Sequence, residues 1–66
     1  MKINGVEQAF DGGLPPTLAD LLVRLGLDAA TVVAEVDGRI VPRAEFAATP
    51  VRQGQRIELV RFVGGG

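Results

Sequence analysis

The chain has 66 residues, 47% of them hydrophobic, and a net charge of −1 from seven basic and eight acidic side chains. It contains no cysteine and no histidine, which excludes disulfides, thiolate nucleophiles and Cys-ligated metal sites and removes the commonest general base. The size fits one small domain burying ~60% of its unfolded surface, and no stretch approaches the roughly 18 apolar residues of a membrane span.

Met1-Lys2-Ile3 starts apolar, and Asn4-Gly5 then signals a two-residue hairpin, because both central residues of a type I′ turn need positive φ. Val6 to Phe10 reads as the returning strand, with Val6, Gln8 and Phe10 on one face. Asp11-Gly12-Gly13-Leu14-Pro15-Pro16 is a loop, and Thr17 begins a helix. The Thr17 hydroxyl caps the first turn, and Asp20 completes a capping-box pattern. Leu18, Leu21, Leu22 and Leu25 form one apolar stripe, and Gly26 is the left-handed stop. A helix dry on one side and wet on the other packs on a sheet.

Leu27 to Thr31 is a connection. Val32-Val33-Ala34-Glu35-Val36 is a β-branched strand, Asp37-Gly38 a second hairpin turn, and Arg39-Ile40-Val41 the return. Pro42 ends that ladder because it has no N–H to donate. Arg43 to Thr49 is a helical turn anchored by Phe46, Pro50 closes it, and Arg52-Gln53-Gly54-Gln55 is a polar turn. Arg56 to Val63 is the last strand. Ile57 and Leu59 fit the core beneath the helix, so Val60 and Phe62 point the other way. They either cover the sheet or fill a second small core, or they form an exposed patch that docks a partner. The order of elements is that of an α+β fold, the ubiquitin-like β-grasp. It predicts a mixed sheet of about five strands, with strands 1 and 5 parallel in the centre and one main helix on one face. Residues 1–63 form that single domain, and 64–66 a flexible glycine tail.

The charges are segregated. Lys2 and Arg24 stand against Glu7, Asp11, Asp20, Asp28, Glu35 and Asp37 up to residue 38; thereafter Arg39, Arg43, Arg52, Arg56 and Arg61 face Glu45 and Glu58. Solvated mixed-charge faces explain this; a sharper reading has the arginines near the tail meet an acidic patch on a protein partner. With three phenylalanines, no other aromatic and no basic excess, the chain lacks the composition of a nucleic-acid binder. Asp11, Asp20, Glu35 and Glu45 lie on different elements without a His, Cys or Lys partner, and Gly12-Gly13 lacks the lysine and spacing of a phosphate loop. The chain does not read as an enzyme.

The end of the sequence, Phe62-Val63-Gly64-Gly65-Gly66, offers different chemistry. A terminal glycine run puts an α-carboxylate on a thin tether that can thread a narrow channel, since no Cβ adds width or restricts φ. Adenylation would give that carboxylate a leaving group, and a sulfur nucleophile could then displace it. Composition alone favours a frayed terminus or cloning remnant over that role.

The Asn4-Gly5 pair, the Thr17-Leu18-Ala19-Asp20-Leu21-Leu22 helix opening, the segment Asp37-Gly38-Arg39-Ile40-Val41-Pro42-Arg43 and the run from Gly54 to Gly66 together resemble the ThiS-type sulfur carrier proteins of thiamine biosynthesis. Three residues precede Asn4-Gly5, where the family more often has a longer first strand. The resemblance implies that an E1-like adenylyltransferase (ThiF type) uses ATP and Mg²⁺ to adenylate Gly66. A sulfurtransferase or cysteine desulfurase then supplies sulfur to make a thiocarboxylate, and a thiazole synthase (ThiG type) receives it. Gly64, Gly65 and Gly66 would be the tail and Val60, Arg61, Phe62 and Val63 the docking residues. The chain itself would bind no cofactor or metal and would be a cytoplasmic monomer when free, with no nucleic acid or membrane as partner. Alternatives are the small subunit of molybdopterin synthase, a carrier for another pathway, a ubiquitin-like tag, and a β-grasp interaction module with an inert tail.

Overall fold

Two short turns set the frame. Asn4 (φ 52°) with Gly5 (φ 79°), and Asp37 (φ 50°) with Gly38 (φ 85°), hold the paired positive φ values of type I′ turns. The first joins β1 (Lys2–Ile3) to β2 (Val6–Glu7), with Ile3 opposite Val6. The second joins β3 (Val32–Val36) to β4 (Arg39–Val41), with Val36 opposite Arg39. The last strand, β5 (Arg56–Arg61), lies between the hairpins, parallel to β1 and antiparallel to β3. The sheet order is β2-β1-β5-β3-β4, the mixed five-stranded arrangement expected from the order of elements. The computed structural model describes residues 1–62, so the readings for Val63, Gly64, Gly65 and Gly66 lie outside the described residues.

One helix, α1 (Leu18–Arg24), covers one face of this sheet. Thr17 caps it as the sequence predicts: the Asp20 N–H donates to Thr17 Oγ1 at 3.2 Å, and that hydroxyl donates to Asp20 Oδ2 at 2.8 Å. The Leu18 N–H, orphaned at the first turn, is taken by Thr49 O at 2.8 Å. At the other end Gly26 (φ 71°) makes a Schellman motif: its N–H bonds Val23 O at 3.1 Å, and the Leu27 N–H bonds Leu22 O at 2.9 Å. Seven residues are too few for a stable isolated helix, so packing holds it. Leu18, Leu21, Leu22 and Ile57 are almost completely buried, each side chain worth ~1.5–3 kcal/mol relative to exposure. Ile3, Val32, Ala34, Phe46, Val51 and Leu59 complete the core with Met1.

Phe46 anchors a 3₁₀ turn over Arg43–Ala48, as expected, and a shorter one over Ala29–Thr31 lies within the Leu27–Thr31 connection. Two strand limits differ from expectation. The returning strand is Val6–Glu7 rather than Val6 to Phe10. The Gln8 N–H still reaches Met1 O at 2.9 Å, but the chain then leaves the sheet. Phe10 turns to pack against the core, with the Arg24 guanidinium 5.5 Å from its ring centre. Leu25, the last residue of the predicted stripe, is the half-buried helix C-cap and packs against the core. The last strand ends at Arg61, although the Phe62 N–H adds one further bond to Thr31 O at 2.9 Å.

Candidate functional site

The candidate site is the end of β5, where the sheet gives way to the glycine-rich segment. This strand is central and is held on both edges. Toward β3 it pairs along its whole length, from Val36 opposite Ile57 to Val32 opposite Arg61. The Asp37 N–H donates to Arg56 O at 2.8 Å, and the Arg56 N–H donates to Asp37 Oδ1 at 2.9 Å. Toward β1 the backbone ladder is short, and the side chain of Asn4 extends it. The Asn4 N–H donates to Ile57 O at 2.9 Å. Beyond that, the Leu59 N–H donates to Asn4 Oδ1 at 2.7 Å and Asn4 Nδ2 donates to Leu59 O at 3.1 Å. The amide thus stands in for a missing strand residue, using its donor and its acceptor at once.

Alternation along β5 separates its side chains. Ile57 and Leu59 are buried under α1, while Val60 is 58% exposed and Phe62 48% exposed. Of the two readings of Val60 and Phe62, the exposed patch is the one observed. Register shows the rest of it: Val33, itself exposed, stands opposite Val60, and exposed Ile40 stands opposite Glu35, one step along. Val33, Ile40, Val60 and Phe62 thus form a diagonal apolar band on the sheet face away from the helix. Arg61 does not join it; its side chain is exposed on the opposite parity, across from Val32. Val63 lies outside the described residues.

Sequence reasoning missed Val33 and Ile40 because their membership depends on strand register. The alternation Val32-Val33-Ala34 supplied half of the signal, and the pairing with β5 the other half. Asn4 was visible only as a turn former. The Met1 α-ammonium lies 2.8 Å from Glu7 Oε2, and its hydrogen bond, then its charge, hold that carboxyl below the usual carboxylate value. Among the described residues no group of three or more His, Cys, Asp or Glu could hold a metal ion. No helix there is long and apolar enough to cross a membrane.

The sequence model of the ThiS family matches residues 1–66, the whole chain. The chain belongs to the ThiS family. The crystal structure of a thiamine biosynthesis protein, ThiS, from Geobacter metallireducens is 33% identical, with a TM-score of 0.83 over 98% of this chain and 96% of that one. A solution structure of a thiamine biosynthesis protein from the same organism gives a TM-score of 0.80 over 98% of this chain and 85% of that one. These neighbours share the β-grasp architecture of this ThiS-family chain. Among curated proteins, thiazole synthases from Paramagnetospirillum magneticum and Magnetococcus marinus are 39% and 32% identical to it over all 66 residues. The ThiS-family chain spans 20% of the length of each of these relatives.

Proposed function

We propose that this chain is a sulfur carrier of thiamine biosynthesis, not itself an enzyme, and that its reacting group is the Gly66 carboxylate. The observation that carries the proposal is the whole-length match to the ThiS family, in a chain whose central strand leads directly into Gly64-Gly65-Gly66. An E1-like adenylyltransferase binds ATP and Mg²⁺. A Gly66 carboxylate oxygen attacks the α-phosphorus, and pyrophosphate leaves. A sulfurtransferase or cysteine desulfurase delivers sulfur as a persulfide. A thiol reduces it to sulfide and is itself oxidised to a disulfide, and the sulfide then attacks the carbonyl carbon. A C–S bond forms, the C–O bond breaks, and AMP departs with the electron pair. The thiocarboxylate passes its sulfur to a thiazole synthase. Relatives bearing that name contain a stretch similar to this chain, which supports a working association between the two.

The fold contributes a rigid base and a docking face. Val60, Phe62, Val33 and Ile40 offer apolar contact beside the tail, and Arg61 adds a cation at the exit. The side chains a carrier needs end there, because activation and sulfur come from the partners. Intact mass after co-expression with the adenylyltransferase and a sulfur donor tests the chemistry: the expected species has one oxygen replaced by sulfur at Gly66. Free carboxylate alone, with both partners shown to be active, would sink the proposal. Phe62→Ala tests the docking face. Its ring is about half exposed, so adenylation should become weaker while stability moves by only about 0.5 kcal/mol.

A further inference from the structure

Each strand residue points its N–H and C=O to one edge, so the partners of β5 can be accounted for residue by residue. The Asp37 N–H to Arg56 O and Phe62 N–H to Thr31 O bonds fix the phase: Arg56, Glu58, Val60 and Phe62 face β3. Ile57, Leu59 and Arg61 therefore face β1. Ile57 O is taken by the Asn4 backbone and Leu59 by both ends of the Asn4 amide. The Arg61 N–H and C=O have no hydrogen-bond partner among the described residues. The cause is length: β1 has two residues against six in β5. The chain reverses at Asn4-Gly5 before reaching Arg61. A Cβ added at Gly5 would meet nothing within 4 Å among the described residues.

We propose that this open edge of β5 is a strand-addition site, where an extended segment of the adenylating partner pairs with the Arg61 N–H and C=O; this rests on the carrier reading above. An exposed donor and acceptor at a strand edge are the groups that another strand recognises. Val60 and Phe62 flank Arg61 with exposed apolar side chains on one face, and the Arg61 side chain is exposed on the other. A segment added here therefore finds backbone, apolar and cationic contacts within three residues.

Arg61→Pro tests this selectively. Proline removes the edge N–H, whereas the bonds toward β3 come from the neighbouring residues and survive. Val60 is already extended, as a residue before proline must be. Arg61→Ala controls for the guanidinium. The readout is ATP–pyrophosphate exchange by the E1-like adenylyltransferase encoded in the same genome. Arg61→Ala measures the share of the guanidinium contact, and Arg61→Pro should fall roughly tenfold below Arg61→Ala, the effect of about one net hydrogen bond. A folded proline variant whose exchange matches that of Arg61→Ala overturns the edge. Should that variant unfold, amide hydrogen exchange on the wild type decides: the Arg61 N–H should slow in the complex, and an unchanged rate overturns the inference. No exchange even with the wild-type chain would defeat the carrier reading itself, a failure distinct from that of the edge.

Discussion

The two hairpins use the same turn and grip the same strand, yet they do so with different atoms. Asn4 and Asp37 each occupy the first central position of a type I′ turn, and each sends its side chain to the backbone of β5. Asp37 is a carboxylate and can only accept, so its own backbone N–H must serve Arg56 O. Asn4 carries both donor and acceptor, so its side chain alone brackets Leu59. The second hairpin has length: β3 pairs with β5 over five residues. The first has two residues per strand and compensates with an amide. Residue choice at a turn can thus replace ladder length, and Arg61, beyond the reach of that amide, has no backbone partner among the described residues.

The comparison breaks most completely where both hairpins meet. Ile57 stands opposite Ile3 on one side and Val36 on the other, and it is 1% exposed. Ile57→Ala should cost about 2–5 kcal/mol in urea unfolding, loosening both hairpins together. A loss below about 1 kcal/mol would show that the strands are held by their backbones alone.

The turn residues give the sharper contrast. Asn4→Asp keeps the shape but removes the donor and sets a carboxylate against Leu59 O, which should cost about 1–2 kcal/mol. Asp37→Asn loses no acceptor and should stay within about 0.5 kcal/mol of the parent. Equal costs for the two would mean that the amide bracket carries no special weight.

The smallest effect separates the hairpins by pH. Glu7 of the first hairpin pairs with the Met1 α-ammonium; among the described residues this is the one ion pair, and β4 has no counterpart. Its carboxyl titrates below the usual value in the folded state. Its contribution is therefore complete above the unfolded carboxylate value and is lost as pH falls through the lower folded one. The Glu7 carboxylate is solvent-exposed, so the drop in melting temperature should be slight, and Glu7→Gln or acetylation of the α-amino group should abolish it.

Much of this was legible in advance because it rests on local chemistry. Asn4-Gly5, Asp37-Gly38, Thr17 with Asp20, Gly26 and Pro42 each impose backbone geometry within four residues, and the structure places a turn, cap or stop at every one. Leucines at helical spacing and the alternation of β5 predicted which faces are buried, so the β-grasp followed. The extent of β2 was misread because alternation through Gln8 and Phe10 describes a side-chain pattern and carries no information about available partners. Phe10 had a better place against the core.

By itself the sequence determined the turns, the helix limits and the buried stripes. Tertiary structure alone decided that Val60 and Phe62 are exposed, that Val33 and Ile40 join them, and that Asn4 reaches Leu59 across 55 positions. The physical reason is range. Torsional preferences and hydrophobic periodicity act between near neighbours, whereas register and edge satisfaction depend on which strands come to lie side by side.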